Sequence, residues 1–503
     1  MTASQGGGAA QVAVVATDAS VEHAAATARA LAADTRQVVL VGSARAEASS
    51  PDGVSFVERA PLDVEVTPAY LTESYGLYRT LRDIECRTVV FPDRGAAGYC
   101  TARAKETGAA FGSTAIVVDC VAPTARSAAG ERRPFLSRRT LGVAIAERLT
   151  LELADAFVCT DEDVARWLEQ AGWALPARLG SARDACAAET SSVQSASADQ
   201  ALVSVVVSHR ERPAYLRQCL DGLVRQTYTP LEVVVADDGS ASPEAVRGLE
   251  ELEARTWPWP LRVLRLAAGG AASARNGGWR AASGDFVVFV DDDDVPFDKL
   301  LEALWKARAH SGADVVVAGA RWFHGDGAPT AHSGDVVRVS LCRPFELGLI
   351  SNQYGGPTNL WPRDLLERLG GFPPVPLEDW NLLARAALSG ARLTTPPDPL
   401  YWYRQTAESA YTADTLGARD AALPALADVF AEQLPAELRL LPRLAAGAYS
   451  ELDRRKDEAR SRSSTLVDRG RLVARRAREV RAEEGLGAIV RRAARFGRRT
   501  IGR

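Results

Sequence analysis

The chain has 503 residues, 60 basic against 64 acidic side chains, and 47% apolar residues. That balance excludes a chain disordered as a whole, which would carry too few apolar residues to form a core. It also excludes a uniformly basic nucleic-acid binder. At roughly 100–200 residues per domain the length predicts two to four domains. Seven scattered cysteines (86, 100, 120, 159, 186, 219, 342) with no Cys-x-x-Cys predict reduced thiols, with neither a disulfide frame nor a zinc site. No apolar run approaches the roughly 18 residues of a membrane span, and no basic-then-apolar leader opens the chain, so a cytoplasmic protein is expected. The skew to 56 Arg against 4 Lys reads as codon bias.

From the N-terminus, residues 11–17, 37–41, 88–91, 114–118 and 156–160 are short β-branched or apolar runs. Helical patterns separate several of them, at 21–33 and most clearly at 139–153. Strands alternating with helices predict a parallel sheet with helices on its faces, an α/β Rossmann-like domain over 1–189. Asp161 reads as the N-cap of a helix carrying Val164, Trp167 and Leu168. Residues 190–200 (four Ser, no aromatic) read as a linker. A second α/β domain follows over 201–406, and 407–503 is expected to be a helical region with a basic tail.

Four features of the central domain stand at strand ends, where open α/β sheets place their ligands. They are Ser208-His209-Arg210-Glu211-Arg212-Pro213, Asp237-Asp238-Gly239-Ser240, Asp291-Asp292-Asp293-Asp294, and Glu378-Asp379-Trp380 at a helix start. Four adjacent carboxylates repel one another at a partly desolvated strand end. Mg²⁺ or Mn²⁺, bound through one or two carboxylates plus substrate phosphates, would relieve that repulsion. A solvated acidic turn is the alternative, but a buried-type strand precedes the run and a helix follows it. Taken singly, Asp238 could cap the helix near Pro243. Glu378 and Asp379 could be favourable charges at a helix start. The helix carrying Arg275 could simply present a small packing face, or its arginine could meet a pyrophosphate. His209 reads as a loop histidine satisfied by backbone.

The segments VSVVVSHRERPAYLRQCLDGLVRQTY, LEVVVADDGS, ASARNGGWRAASGDFVVFVDDDDV, GGPTNLWPRDLLERLGGF and PLEDWNLLARAALSG make residues 201–406 resemble a family 2 glycosyltransferase domain of the GT-A fold. The resemblance implies Ser208, Arg210 and Asp238 as nucleotide contacts and Asp291 and Asp293 as the metal-binding DxD, with Asp292 between them on the donor. It implies Asp379 as the catalytic base, with Glu378 and Trp380 on the acceptor side. Arg275 is then expected on the donor phosphate. The chain departs from the family in lacking an aromatic residue in the loop after the first strand, and in offering no histidine at Tyr403-Arg404-Gln405. The expected activity is inverting transfer from a nucleotide-sugar, UDP-sugar foremost, to a hydroxyl of a glycan or lipid-linked acceptor, as in polysaccharide biosynthesis. A catalytically silent glycan-binding or assembly protein is the alternative.

Residues 10–180 resemble the acceptor-side half of family 4 (GT-B) glycosyltransferases through VVFPDRGAAGYCTARAKETGAAF and ERLTLELADAFVCTDEDVARWLEQAGWALP, without the donor half. That block is expected to be a scaffold that shapes the acceptor side, or else to pair with another chain's donor half. Residues 451–503 carry 17 basic and 8 acidic side chains. Leu486, Ile489, Val490, Ala493, Phe496, Gly497 and Ile501 fall on one helical face opposite Arg491, Arg492, Arg495, Arg498, Arg499 and Arg503. Such a helix is expected either to bind an anionic membrane surface or to pack with a solvated arginine face. Nucleic acid is not an expected partner, and the oligomeric state has no signature in the sequence.

Overall fold

A computed structural model describes residues 10–33, 37–130, 137–187, 200–330, 333–342, 345–349, 351–405, 415–448 and 450. Its N-terminal strands are β1 (Ala10–Val15), β2 (Val38–Gly42), β3 (Ser55–Glu58), β4 (Glu65–Thr67), β5 (Cys86–Pro92), β6 (Ala115–Asp119), β7 (Ala156–Val158) and β8 (Ala177–Leu179). The central strands are β9 (Val203–His209), β10 (Leu231–Asp237), β11 (Leu261–Arg265), β12 (Phe286–Asp291), β13 (Val295–Pro296), β14 (Val315–Val317), β15 (Gly319–His324), β16 (Val336–Arg338), β17 (Asn359–Pro362), β18 (Leu393–Thr394) and β19 (Pro399–Gln405).

Seven of the N-terminal strands form a parallel sheet in the order β3-β2-β1-β5-β6-β7-β8, a doubly wound arrangement. Period-two side-chain alternation divides its apolar residues between two cores. Ala13, Val15, Val89, Phe91, Ile116 and Val118 face one; Val12, Val14, Val90 and Val117 face the other, against Ala24, Ala28 and Leu31 of the helix Val21–Ala32. Asp161 caps the helix Glu162–Gln170 as expected, accepting from the backbone N–H groups of Asp163 and Val164. Six cysteines are free thiols among the described residues.

The central sheet runs β11-β10-β9-β12-β17-β14-β18, with β9 to β12 parallel and β17 antiparallel to its neighbours. Its register does the positioning. Ser208 lies opposite Asp291 and Ala236, and His209 opposite Asp237, so three of the motifs meet along one edge. The helix Ala271–Ala281 lies on β9 and β10 because Gly278 has no side chain. A Cβ there would stand 2.3 Å from Val206 Cγ1 and 3.2 Å from Ala236 Cβ. That close approach brings Arg275 to the same edge.

The blocks expected over 1–189 and 201–406 share a sheet. A second central sheet, β13-β19-β15-β16, takes β4 of the N-terminal block as its last strand. Val336, Val337 and Arg338 pair in parallel with Glu65, Val66 and Thr67, and backbone bonds run from Glu65 N to Asp335 O (2.6 Å) and from Val339 N to Thr67 O (2.9 Å). Around this junction Tyr99 donates to Ser340 O (2.7 Å), Tyr70 to Gln353 Oε1 (3.0 Å) and Tyr78 to Asp398 Oδ2 (2.7 Å). Arg103, fully buried, donates to Glu106 Oε2 (2.6 Å) and to Leu341 O (2.8 Å). The chain through Leu434 is accordingly one compact unit, and it includes the helix Thr415–Glu432. All of the expected linker but Gln200 lies outside the described residues.

A second unit begins at Pro435. Its described part exposes Leu440, Leu441 and Leu444; the basic tail over 451–503 lies outside the described residues. Among the described residues no helix is long and apolar enough to cross a membrane.

Removing one partner of a buried ion pair leaves the other charge uncompensated. Arg103→Ala removes a buried guanidinium that bonds Tyr99, Glu106 and Leu341 O at the junction, so it should cost about 3–5 kcal/mol and lower the melting temperature in differential scanning calorimetry. Arg82→Ala, on the exposed Arg82–Asp398 pair, should cost less than about 1 kcal/mol.

Candidate active site

The four aspartates that close β12 divide among different partners. Asp291 is half-buried and accepts from Ser208 Oγ (2.8 Å) and from Arg275 Nη2 (2.6 Å). Burial works against its ionisation, but Arg275 and Ser208 hold its carboxyl below the usual range. Asp292, fully buried, points elsewhere: it accepts from His209 Nδ1 (2.6 Å), from Arg210 N (3.3 Å) and from Arg212 Nη2. Asp293 meets Arg212 Nη1 at 2.6 Å. Burial, reinforced by Asp291 and Asp292 and opposed by Arg212, pushes its carboxyl up to about 6. Asp294 is buried, accepts from Arg404 N (3.3 Å), leaves Oδ2 without a partner, and is pushed well above the carboxylate range by burial and its neighbours.

Arg275 links this cluster to the Glu378-Asp379 motif. Its Nη1 donates to Glu378 Oε1 while Nη2 holds Asp291, its ring neighbour is Phe372 at 5.3 Å, and its Nε is buried without a partner. Both acidic residues open the helix Glu378–Leu388. The preceding Leu377 adopts a left-handed φ of 52°, an unfavourable conformation for a side chain of its size, and it turns the chain into the site. Burial first, then the Glu378 charge, raises the Asp379 carboxyl to about 6 against the pull of Arg275. Asp291, Arg275, Glu378 and Asp379 line one cavity of about 450 Å³.

Several expected sites lie elsewhere than anticipated. Ser208 donates to Asp291, while Arg210 pairs with Asp238 at 3.4 Å. Asp238 does not cap the helix Pro243–Ala254; Ser242 does. Instead its carboxylate accepts from Gly269 N (2.7 Å) and Gly270 N (3.0 Å), fixing the loop before the Arg275 helix. His209 is no loop histidine: it is the last residue of β9, buried, with Nε2 unpartnered. Trp380 is 1% exposed and donates to Gly348 O (2.6 Å), so it forms the floor of the cavity rather than an open sugar platform. Arg404, where the sequence offers no histidine, was not among the expected site residues. It is buried, donates through Nε to Asp293 O (3.0 Å), and lies between the Tyr215 and Phe323 rings at 4.3 and 4.5 Å. Its signal was a lone arginine in an otherwise apolar strand.

The donor set suits the divalent metal that the resemblance implies. Asp293, the crowded neighbouring carboxylates and the unpartnered Asp294 oxygen leave negative charge poorly compensated at the strand end. Among the described residues no group of three or more His, Cys, Asp and Glu is assembled to hold an ion alone. One or two carboxylates completed by donor phosphates match the habits of Mg²⁺ and Mn²⁺.

Residues 204–358 match the model of the glycosyl transferase family 2 domain. The chain is 32% identical over 120 residues to the glycosyltransferase EpsJ of Bacillus subtilis, covering 24% of this chain and 33% of that protein. It is 35% identical over 117 residues to the glycosyltransferase GlyA of Streptococcus pneumoniae, covering 23% and 16%. To the poly(ribitol-phosphate) β-N-acetylglucosaminyltransferase TarS of Staphylococcus aureus it is 27% identical over 208 residues, covering 40% and 35%. The chain thus spans a third or less of the length of the first two relatives. Among solved structures, a mannosyltransferase of Pyrobaculum calidifontis in complex with GDP-Man and Mn²⁺ aligns at 22% identity and a TM-score of 0.37, over 55% of this chain and 81% of that one.

A carboxyl raised to about 6 carries a linkage consequence. Its charged form is disfavoured in the folded chain, so the favourable contribution present below the unfolded value near 3.8 is lost as pH rises through about 6. Asp379→Asn should therefore stabilise the protein increasingly between pH 4 and pH 8, by about 1–3 kcal/mol at the upper end, measured as the difference in unfolding midpoint from the parent chain.

Proposed function

From the family 2 glycosyl transferase domain at residues 204–358, we propose that the protein transfers a glycosyl group from a nucleotide-sugar to an acceptor hydroxyl by single displacement with inversion. The carrying observation is that Asp379, with its raised carboxyl, and Asp291, at the donor edge, line one cavity and are tied through Arg275 and Glu378. A base must be close to the hydroxyl it deprotonates and must titrate near the working pH. Asp379 suits both needs. It takes the acceptor proton as the new bond forms at the anomeric carbon, and the bond from that carbon to the diphosphate breaks with the electron pair leaving on the nucleotide diphosphate.

Arg210 and Asp238 are proposed to flank the nucleotide, with Ser208 and Asp292 ordering the strand end behind it. Asp291 and Asp293 would hold Mn²⁺ or Mg²⁺, which when bound withdraws charge from the diphosphate as a Lewis acid. Arg275 is best read as the group that keeps Asp291 ionised and holds Glu378 in place. Glu378, through its charge, keeps Asp379 basic. A UDP-sugar donor and a glycan or lipid-linked acceptor are the substrates proposed. Solved structures of TarS with UDP-GlcNAc and of the Pyrobaculum mannosyltransferase with GDP-Man contain such donors. Contact with an anionic membrane surface through the C-terminal tail, at the cytoplasmic face, is part of the same reading; the exposed Leu440, Leu441 and Leu444 support it. The silent-protein reading would leave a raised, cavity-lining Asp379 without a task.

The test is transfer and donor hydrolysis with Mn²⁺ across UDP-, GDP- and dTDP-sugars. Asp379→Asn should lower transfer by about 10²–10⁴-fold while nucleotide affinity, measured by calorimetry, stays near that of the parent. Near-normal turnover in that variant would remove the base assignment. In the parent chain the rate should rise with pH and level off above about 6, as Asp379 loses its proton.

A further inference from the structure

The cavity shared by Asp291 and Asp379 has one wall made by strand β19. Side chains alternate along a strand, so Tyr401 and Tyr403 leave on one face and Trp402 and Arg404 on the other. Trp402 and Arg404 both meet the Phe323 ring, at 6.1 and 4.5 Å. The two tyrosines line the cavity instead. Tyr401 is only 2% exposed, and its ring packs into the core of the central domain beside its β15 neighbour Ala320. Its hydroxyl ends next to the bare Gly356, which lines the same cavity; a Cβ there would stand 3.1 Å from the phenol oxygen. Tyr403 is half-buried. Among the described residues neither phenol oxygen has a hydrogen-bond partner. A buried hydroxyl without a partner is unfavourable, so a ligand that supplies the bond is selected over one that does not.

The chemistry of this wall narrows what that ligand is. Burial first, then the neighbouring Asp294, raises both phenols, so each keeps its proton and can donate as well as accept. A sugar hydroxyl has the same two capacities. An anion would be disfavoured here, because Asp291, Asp293 and Asp294 all lie near enough to act on Tyr403. The register sets the pair on the donor side. Pro296 of β13 lies opposite Tyr401, and Arg404 N donates to Asp294 Oδ1 (3.3 Å). β19 is thus bonded directly to the chain at and just after the four aspartates.

We infer that the Tyr401 hydroxyl, with that of Tyr403 beside it, holds a ring hydroxyl of the transferred sugar and so selects which nucleotide-sugar is used. The inference rests on the transferase reading of the cavity and adds to it the group that reads the sugar, as distinct from the nucleotide. The second central sheet thereby takes part in donor choice, while the nucleotide is left to the first.

The test uses the full-length chain with Mn²⁺. Calorimetry first finds the tightest donor among UDP-glucose, UDP-galactose, UDP-N-acetylglucosamine, GDP-mannose and dTDP-glucose. Tyr401→Phe should weaken that donor about tenfold and leave the affinity of the matching nucleoside diphosphate unchanged. Adding Tyr403→Phe should weaken the donor further. Phe keeps the ring and removes only the hydroxyl, and the unchanged nucleoside diphosphate affinity reports that the site is folded. One monodeoxy form of the same donor should bind the parent about tenfold more weakly and lose nothing further in Tyr401→Phe. Unchanged donor affinity in Tyr401→Phe, an equal loss for the nucleoside diphosphate, or the same monodeoxy losses in parent and variant would overturn the assignment alone. A parent chain that binds none of the five donors would defeat the transferase reading, and the assignment with it.

Discussion

Four consecutive carboxylates at the end of a buried strand set the terms for everything around them. Like charges a few ångströms apart in a poorly solvated place cannot all ionise without compensation. The fold answers by sending each to a different partner: Asp291 to Arg275, Asp292 to His209 and Arg212, Asp293 to Arg212, and Asp294 to the backbone N–H of Arg404. The end of β12 at Asp291 makes this possible, because Asp292 and Asp293 stand in the turn that follows and aim their side chains away from the strand's own directions. What remains uncompensated is concentrated at Asp293 and Asp294, where a cation and a diphosphate would complete the balance.

The same arrangement couples the two ends of the proposed reaction. Arg275 touches Asp291 on the donor edge and Glu378 beside the base, and its place depends on Gly278 one turn further along the same helix. Glu378 raises Asp379, Arg275 lowers it, and burial decides the outcome in favour of a carboxyl near 6. The left-handed Leu377 just before the pair is the kind of backbone strain that persists only where its surroundings enforce it.

Much of this was legible in residue order. β-branched runs ending in acidic or polar clusters marked β9, β10 and β12, and a strand end is where a parallel sheet exposes its ligand edge. The Asp161 cap was legible because capping is local chemistry. Errors arose where a side chain's partner is distant in sequence. His209 looked like a loop residue, yet its partner Asp292 lies 83 positions away. Asp238 had a plausible local helix to cap, but the backbone of Gly269 and Gly270 competes for it more closely. Trp380 follows the proposed base, and helix periodicity turns it inward to Gly348.

The sequence by itself determined the α/β class of each half and the strand edge at which the acidic residues gather, since these follow from hydrophobic period and from the cost of crowded charge. Only the tertiary structure decided that the two halves are one unit. Pairing of Glu65–Thr67 with Val336–Arg338 joins residues some 270 positions apart through backbone groups that every residue possesses, so no side-chain pattern announces it. The same pairing sets Thr67 beside Arg338, and both line the cavity of Asp379. A cavity wall shared between distant segments exists only after the chain has folded.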